Sequence, residues 1–173
     1  MNILSQFNSI KAFVFDVDGV LTDGTILVLD NGLQARRMNI KDGFALQMTL
    51  KNGYRVKVIS GGNSPQVADR LFKLGITDVQ MPVLDKASLL SAWIKEQQLK
   101  KEEVLYMGDD LPDIPALLLA GLPCCPADAV AEVKAVSLYI SPLGGGLACV
   151  RDVIEKVLRG NGHWEYRADV ASR

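Results

Sequence analysis

The chain has 173 residues, of which 49% are hydrophobic and 23% charged. That length suits one domain, and that much apolar material supports a packed core, which excludes a disordered chain or a disulfide-stapled mini-protein. Nineteen Lys and Arg against 20 Asp and Glu leave a formal charge of −1, without the basic excess that a nucleic-acid or anionic-membrane binder uses. Cys124, Cys125 and Cys149 and the single histidine, His163, show no zinc-ligand spacing, and the thiols read as buried or idle in a reducing cytoplasm. Met1 to Phe13 has no basic segment leading into an apolar run, so no signal peptide is expected. The longest uncharged apolar stretch, residues 114–127, is too short to span a bilayer and carries prolines. The expectation is a cytoplasmic protein with neither nucleic acid nor membrane as partner.

In chain order, the aromatic-rich run Ala12 to Asp16 reads as a buried strand that ends in a Gly-containing loop. Thr25 to Leu29 and Gln34 to Ile40 flank Asp30-Asn31-Gly32, a hairpin signal. A helix from Phe44 is stopped by Gly53, and Arg55 to Ser60 follows as a strand. Ser64-Pro65 starts a helix that runs to Gly75. The alternation continues with a strand at Asp78 to Met81, a helix at Lys86 to Gln98 and a strand at Val104 to Met107. Then come a helix at Pro112 to Ala120, a strand at Leu122 to Cys125, a short helix at Ala127 to Lys134, a strand at Ser137 to Ile140 and a closing helix at Val150 to Leu158. Strands alternating with helices over short connections predict an α/β fold, a mainly parallel sheet covered by helices on both faces. In such sheets ligands sit beyond the carboxyl ends of the strands, at the switch point.

The residues at those strand ends are acidic and phosphate-friendly. Asp16 and Asp18 follow the first strand at i and i+2; two carboxylates so close raise each other's pKa unless a cation balances them, and one can attack while the other moves a proton. A DxD pair alone is as well explained by a solvated turn, but Asp16 ends a core strand, where an unpaired carboxylate is expensive. Ser60-Gly61-Gly62 offers a hydroxyl and backbone N–H groups before a helix, an anion site. Asp109, Asp110 and Asp113 cluster after Met107; helix capping explains one or two of them and poorly explains three. Lys86 opens another helix. Together these supply hard oxygen ligands for Mg²⁺ and donors for phosphoryl oxygens.

DVDGVLTDG from Asp16, Ser60 after a hydrophobic strand, Lys86, and GDDLPD from Gly108 resemble, in order and spacing, the four motifs of the haloacid dehalogenase superfamily of phosphotransferases. The resemblance implies a Rossmann-like three-layer α/β/α core over residues 1–173 as one catalytic domain. Asp16 would be the nucleophile that becomes an aspartyl phosphate, Asp18 the acid/base, and Ser60 and Lys86 the holders of the transferring group. Mg²⁺ would be held by Asp16, the Asp18 backbone carbonyl and Asp109, with Asp110 and Asp113 in support. Only a hairpin, about residues 24–40, and one helix stand between the first two motifs, so the chain resembles the capless subgroup that acts on octulosonate 8-phosphates and nonulosonate 9-phosphates. Asn39-Ile40-Lys41-Asp42-Gly43, LYMGDDLPD, GLPCCPADAV and the Gly-rich run before Val150-Arg151-Asp152 extend that resemblance.

The subgroup implies a homotetramer whose neighbours cover each other's sites. It also implies substrate binding by Gly61, Gly62 and Asp42, with Arg70 and Lys73, on one helix face at i and i+3, as receptors for a sugar carboxylate. Two stretches depart from the subgroup: Gly62 stands where many octulosonate enzymes have Arg, and Leu147-Ala148 replaces a basic residue and Gly. The expected activity is Mg²⁺-dependent hydrolysis of 3-deoxy-D-manno-octulosonate 8-phosphate. A nonulosonate 9-phosphate is the alternative substrate, and an idle assembly homologue the alternative of another class.

Overall fold

Ala12–Phe15 is buried on both faces, as the central strand of a parallel sheet must be. The computed structural model describes residues 3–165 and 167–171. Its elements are α1 (Ile3–Ser9), β1 (Ala12–Phe15), a hairpin of β2 (Leu27–Val28) and β3 (Gln34–Ala35), α2 (Ile40–Lys51), β4 (Arg55–Ile59), α3 (Pro65–Lys73) and β5 (Val79–Gln80). The second half has α4 (Lys86–Glu96), β6 (Val104–Met107), α5 (Ile114–Leu117), β7 (Leu122–Cys125), α6 (Ala131–Val136), β8 (Tyr139–Ile140) and α7 (Cys149–Gly160). Among the described residues, six strands form one sheet in the order β5-β4-β1-β6-β7-β8, and every pairing in it is parallel.

Strand side chains alternate between two cores with period 2. Phe13, Phe15, Leu105 and Met107 pack with residues of α1, α2, α3 and α7 on one face. Ala12, Val14, Val104 and Tyr106 pack with residues of α4, α5 and α6 on the other. Full burial of a large apolar side chain contributes about 1.5–3 kcal/mol, so the two layers carry most of the stability. Among the described residues, no helix is long and apolar enough to cross a membrane. The three cysteines are buried and carry free thiols.

The expected alternation is present, with local differences that have physical causes. Helix α2 begins at Ile40 rather than Phe44, because the Asn39 side chain accepts the Lys41 N–H and caps it there; β3 is shorter in consequence. The helix expected from Pro112 is a tight turn at Leu111–Asp113 followed by the four residues of α5. Helix α6 starts at Ala131 rather than Ala127, since the Ala127 N–H is taken by the Leu143 carbonyl and the Val130 N–H by that of Asp109. Helix α1 carries no strong sequence signal; Phe7 holds it by packing edge-on to Tyr139, ring centroids 5.2 Å apart. Lys57, a charged residue inside β4, is buried with its ammonium 2.5 Å from Asp78. Trp93 Nε1 donates to the other Asp78 oxygen at 2.6 Å, so this pair ties β4 to α4.

Candidate active site

The sheet order places the switch point at β1, whose neighbours β4 and β6 are reached in opposite directions. Asp16, Ser60 and Gly108-Asp109 follow directly after β1, β4 and β6. A cleft of about 470 Å³ opens there, lined by Asp16, Asp18, Ser60, Gly61, Gly62, Lys86, Asp109, Asp110 and Asp113 together with Gly24, Val83, Leu84 and Pro112. Four separate stretches of sequence therefore meet at one point.

Its floor is a buried charge network. Lys86 Nζ lies 3.0 Å from Asp16 and 2.8 Å from Asp113, with all three side chains less than a tenth exposed. The other Asp16 oxygen accepts the Val17 N–H at 2.7 Å. Asp113 also accepts the Tyr106 hydroxyl at 2.8 Å and the Asp109 N–H at 3.1 Å. Burial, and then the Asp113 charge, push the Asp16 carboxyl up to about 8 against the pull of Lys86. Burial works to lower the Lys86 pKa, but the two carboxylates and their hydrogen bonds outweigh it, so the ammonium lies above the usual lysine value. Burial and the Asp113 charge also raise the Tyr106 hydroxyl well above its ordinary range, which keeps it a donor to Asp113.

One carboxylate oxygen from each of Asp16, Asp109 and Asp113 lies within 4.8 Å of the other two. Asp109 is raised to about 7 by burial and then by Asp113 and Asp110. One lysine does not balance these acids, and an all-oxygen set with uncompensated negative charge fits a hard divalent cation such as Mg²⁺. Asp113 is occupied by Lys86, Tyr106 and the loop amides, so Asp16 and Asp109 are the side chains that would hold the ion. Gly19 is shaped to this arrangement: its φ is +83° and an added Cβ would stand 2.0 Å from an Asp109 oxygen. Because protons compete with the cation for both carboxyls, Mg²⁺ affinity is expected to fall at least about tenfold from pH 8 to pH 6. Titration calorimetry reads this directly, and a pH-independent affinity would remove the pair from the ligand set.

The loop from Asp16 to Gly24 is folded around the buried Thr22 hydroxyl, which accepts the Gly19 N–H at 3.3 Å and donates to the Val17 carbonyl at 3.3 Å. Asp18 is only part-buried and meets a residue with no motif to announce it, Arg36, just after β3. Arg36 Nε lies 2.6 Å from Asp18 Oδ1 and Nη2 3.4 Å from Oδ2. The available signal was the Arg36-Arg37 pair itself: in extended chain, adjacent residues face opposite ways. Arg37 accordingly points outward to Asp23 at 2.7 Å. Ser60 is buried, and its Oγ accepts the Gly62 N–H at 3.2 Å.

Three expected site residues stand outside the cleft of their own chain. Asp42 is buried in α2, and its Oδ1 accepts the Arg151 N–H at 2.7 Å, which holds the start of α7. Its Oδ2 has no partner among the described residues, and burial pushes this carboxyl up to about 7. Arg70 is half-buried and lines a separate hollow between α3 and the hairpin. Lys73 is exposed and pairs with Asp69 at 2.6 Å. In the Leu147-Ala148 departure, Leu147 is more than half exposed, while Ala148 adopts φ +77°, a conformation that costs a residue with a Cβ about 1–2 kcal/mol.

Residues 71–143 match the family model of haloacid dehalogenase-like hydrolases. The 3-deoxy-D-manno-octulosonate 8-phosphate phosphatase of Escherichia coli strain K12 is 31% identical over 161 residues, 93% of this chain and 86% of that one. The same phosphatase from Moraxella catarrhalis, crystallised with magnesium ion, phosphate ion and KDO, superposes with a TM-score of 0.88 at 33% identity over 91% of each chain. A cobalt-bound deoxy-D-mannose-octulosonate 8-phosphate phosphatase from Haemophilus influenzae gives 0.86 at 30% identity, covering 91% of this chain and 92% of that one.

Proposed function

Because this chain belongs to the haloacid dehalogenase-like hydrolase family, we propose that it is a Mg²⁺-dependent phosphatase that hydrolyses 3-deoxy-D-manno-octulosonate 8-phosphate in the cytoplasm. The observation that carries the reading is the convergence of Asp16, Asp18, Ser60, Lys86 and Asp109 on one cleft, combined with likeness to sugar-acid phosphatases over nine-tenths of the chain. The whole chain serves as one catalytic domain.

In this mechanism an Asp16 oxygen attacks phosphorus while the bond to the sugar oxygen breaks, and Asp18 gives that oxygen a proton. Asp18 then takes a proton from water, whose oxygen attacks the aspartyl phosphate and releases phosphate and the Asp16 carboxylate. Lys86, Ser60 and the amides of Gly61 and Gly62 hold the phosphoryl oxygens in place. Asp16, Asp109 and the Asp18 carbonyl would hold Mg²⁺, which when bound would supply positive charge against the transferring group. Asp113 fixes Lys86, and Asp110, whose Oδ1 accepts the Leu111 N–H at 2.7 Å, shapes the loop. An idle homologue gains no support from a cleft in which every reacting group is present.

A panel of 3-deoxy-D-manno-octulosonate 8-phosphate, a nonulosonate 9-phosphate and p-nitrophenyl phosphate, each with Mg²⁺, tests the reading. The octulosonate ester is expected to give the highest kcat/KM. No turnover of any ester would overturn the enzyme reading, and preference for the nine-carbon acid would move the substrate.

The protein is further read as a homotetramer in which a neighbouring subunit covers the cleft. Leu27 and Val28 on the hairpin are 64% and 70% exposed, and Leu84 on the cleft rim is 99% exposed. A two-stranded ribbon is marginal alone in water, and such an apolar patch marks a protein contact. Arg70 and Lys73 would then face a neighbour's cleft. Val28→Asp is expected to convert the assembly to smaller species in sedimentation velocity; an unchanged tetramer would remove the hairpin as the contact.

A further inference from the structure

We infer that Arg36 is a positioning residue for Asp18, gripping one carboxylate oxygen so that the other stands where the leaving oxygen receives its proton. This rests on the proposed reading of Asp18 as the acid/base. The grip is asymmetric: Oδ1 receives Nε at 2.6 Å, a short charge-assisted bond, whereas Oδ2 is 3.4 Å from Nη2, too long to hold it firmly. Oδ2 is the oxygen on the Gly62 side, because a Cβ added at Gly62 would lie 3.0 Å from it and 3.7 Å from Ser60 Oγ. The same Cβ would lie 3.6 Å from Arg36 Nη2. The bare Gly62 backbone therefore leaves room for both members of the pair beside Ser60.

The hairpin around Arg36 is exposed, yet the Arg36 side chain is only 6% exposed, against 80% for Arg37. A planar guanidinium fork fixes a carboxylate's rotation as well as its position, which the single point charge of a lysine does not. Asp18 sits on a non-helical turn, with φ −72° and ψ 122°, so Arg36 provides an external restraint on its side chain. A proton donor misplaced by about 1 Å loses on the order of 100-fold in rate. The step affected is transfer of the Oδ2 proton to the ester oxygen as the phosphorus–oxygen bond breaks.

The test compares kcat/KM, which reports steps up to departure of the leaving group, for three esters. These are the sugar-acid phosphate, a sugar phosphate lacking a carboxylate, and p-nitrophenyl phosphate, whose phenolate leaves without a proton. Arg36→Met is expected to lower kcat/KM on both sugar esters by about 10- to 100-fold, with a loss on the aryl ester at least about tenfold smaller. Arg36→Lys is expected to recover part of the loss, and it carries the test if Arg36→Met does not fold. Equal losses on all three esters would overturn the inference in favour of a phosphoryl contact. A loss confined to the carboxylate-bearing ester would overturn it in favour of a substrate-carboxylate receptor, and no loss would overturn it outright. Asp18→Asn separates the two readings. If it discriminates between sugar and aryl esters while the Arg36 variants do not, only the Arg36 role fails; if Asp18→Asn does not discriminate, the acid/base reading fails and takes the inference with it.

Discussion

Asp16→Asn is expected to abolish turnover of every phosphate monoester, with kcat lowered at least about 10⁴-fold. The amide keeps the shape and the Val17 contact but cannot form the acyl phosphate, so a burst of product and a trapped phosphoenzyme should also vanish. Stability separates this from unfolding. The folded Asp16 carboxyl is raised from its ordinary value to about 8, chiefly by burial. A raised carboxyl contributes stability only where it is protonated, fully below the unfolded pKa near 4, and that contribution is lost as pH rises through about 8. Well above pH 8 without metal the native protein therefore carries the full penalty of the buried anion, and at about pH 9 Asp16→Asn should melt at or above the wild-type temperature. Residual activity within tenfold of wild type would end the nucleophile assignment, and a lowered melting temperature would show that Asp16 contributes to the fold through Lys86.

Lys86→Met is expected to have the opposite balance, a large loss of stability together with activity. Its ammonium is the shared partner of Asp16 and Asp113, both buried. Removing one member of a buried ion network while leaving the others typically costs about 3–5 kcal/mol, which for a chain of this size lowers the melting temperature by roughly 6–20 °C. Methionine retains the stem packing, so the loss reports the charge. The penalty should shrink at pH 6, where the facing Asp16 carboxyl, raised to about 8 by burial, takes up a proton. Activity should fall about 100-fold or more even in molecules that remain folded, through loss of a donor to the phosphoryl group. Asp113→Asn offers a check: it leaves Asp16 paired with Lys86, so its effect on stability should be the smaller. A Lys86→Met protein as stable as wild type at pH 8 would mean that the three charges do not act as one network.

The two variants also divide what the chain discloses at different levels. Strand–helix alternation was legible residue by residue, because apolar runs and turn chemistry are short-range properties. Asp16, Ser60, Lys86 and Asp109 were legible because each follows directly on a strand or opens a helix, and parallel sheets gather such ends at one edge. Helix boundaries were less so: α2 begins where Asn39 caps it, and α6 where the neighbouring loop has already claimed Ala127 and Val130.

Length and a charge of −1 set the expectations for domain number and for partners, and the order of motifs pointed to the chemistry. Both follow from composition and spacing, which any reader of the linear chain possesses. Long-range geometry decided the rest. Asp42 and Arg36 lie six residues apart, yet Asp42 turns inward to hold α7 while Arg36 turns to grip Asp18. The Arg36-Arg37 pair signals locally that one arginine faces inward, but which partner each side chain meets depends on residues remote in the chain. The direction of a polar side chain is set by what the fold brings within hydrogen-bonding distance of it, and that distance exists only once the sheet is assembled.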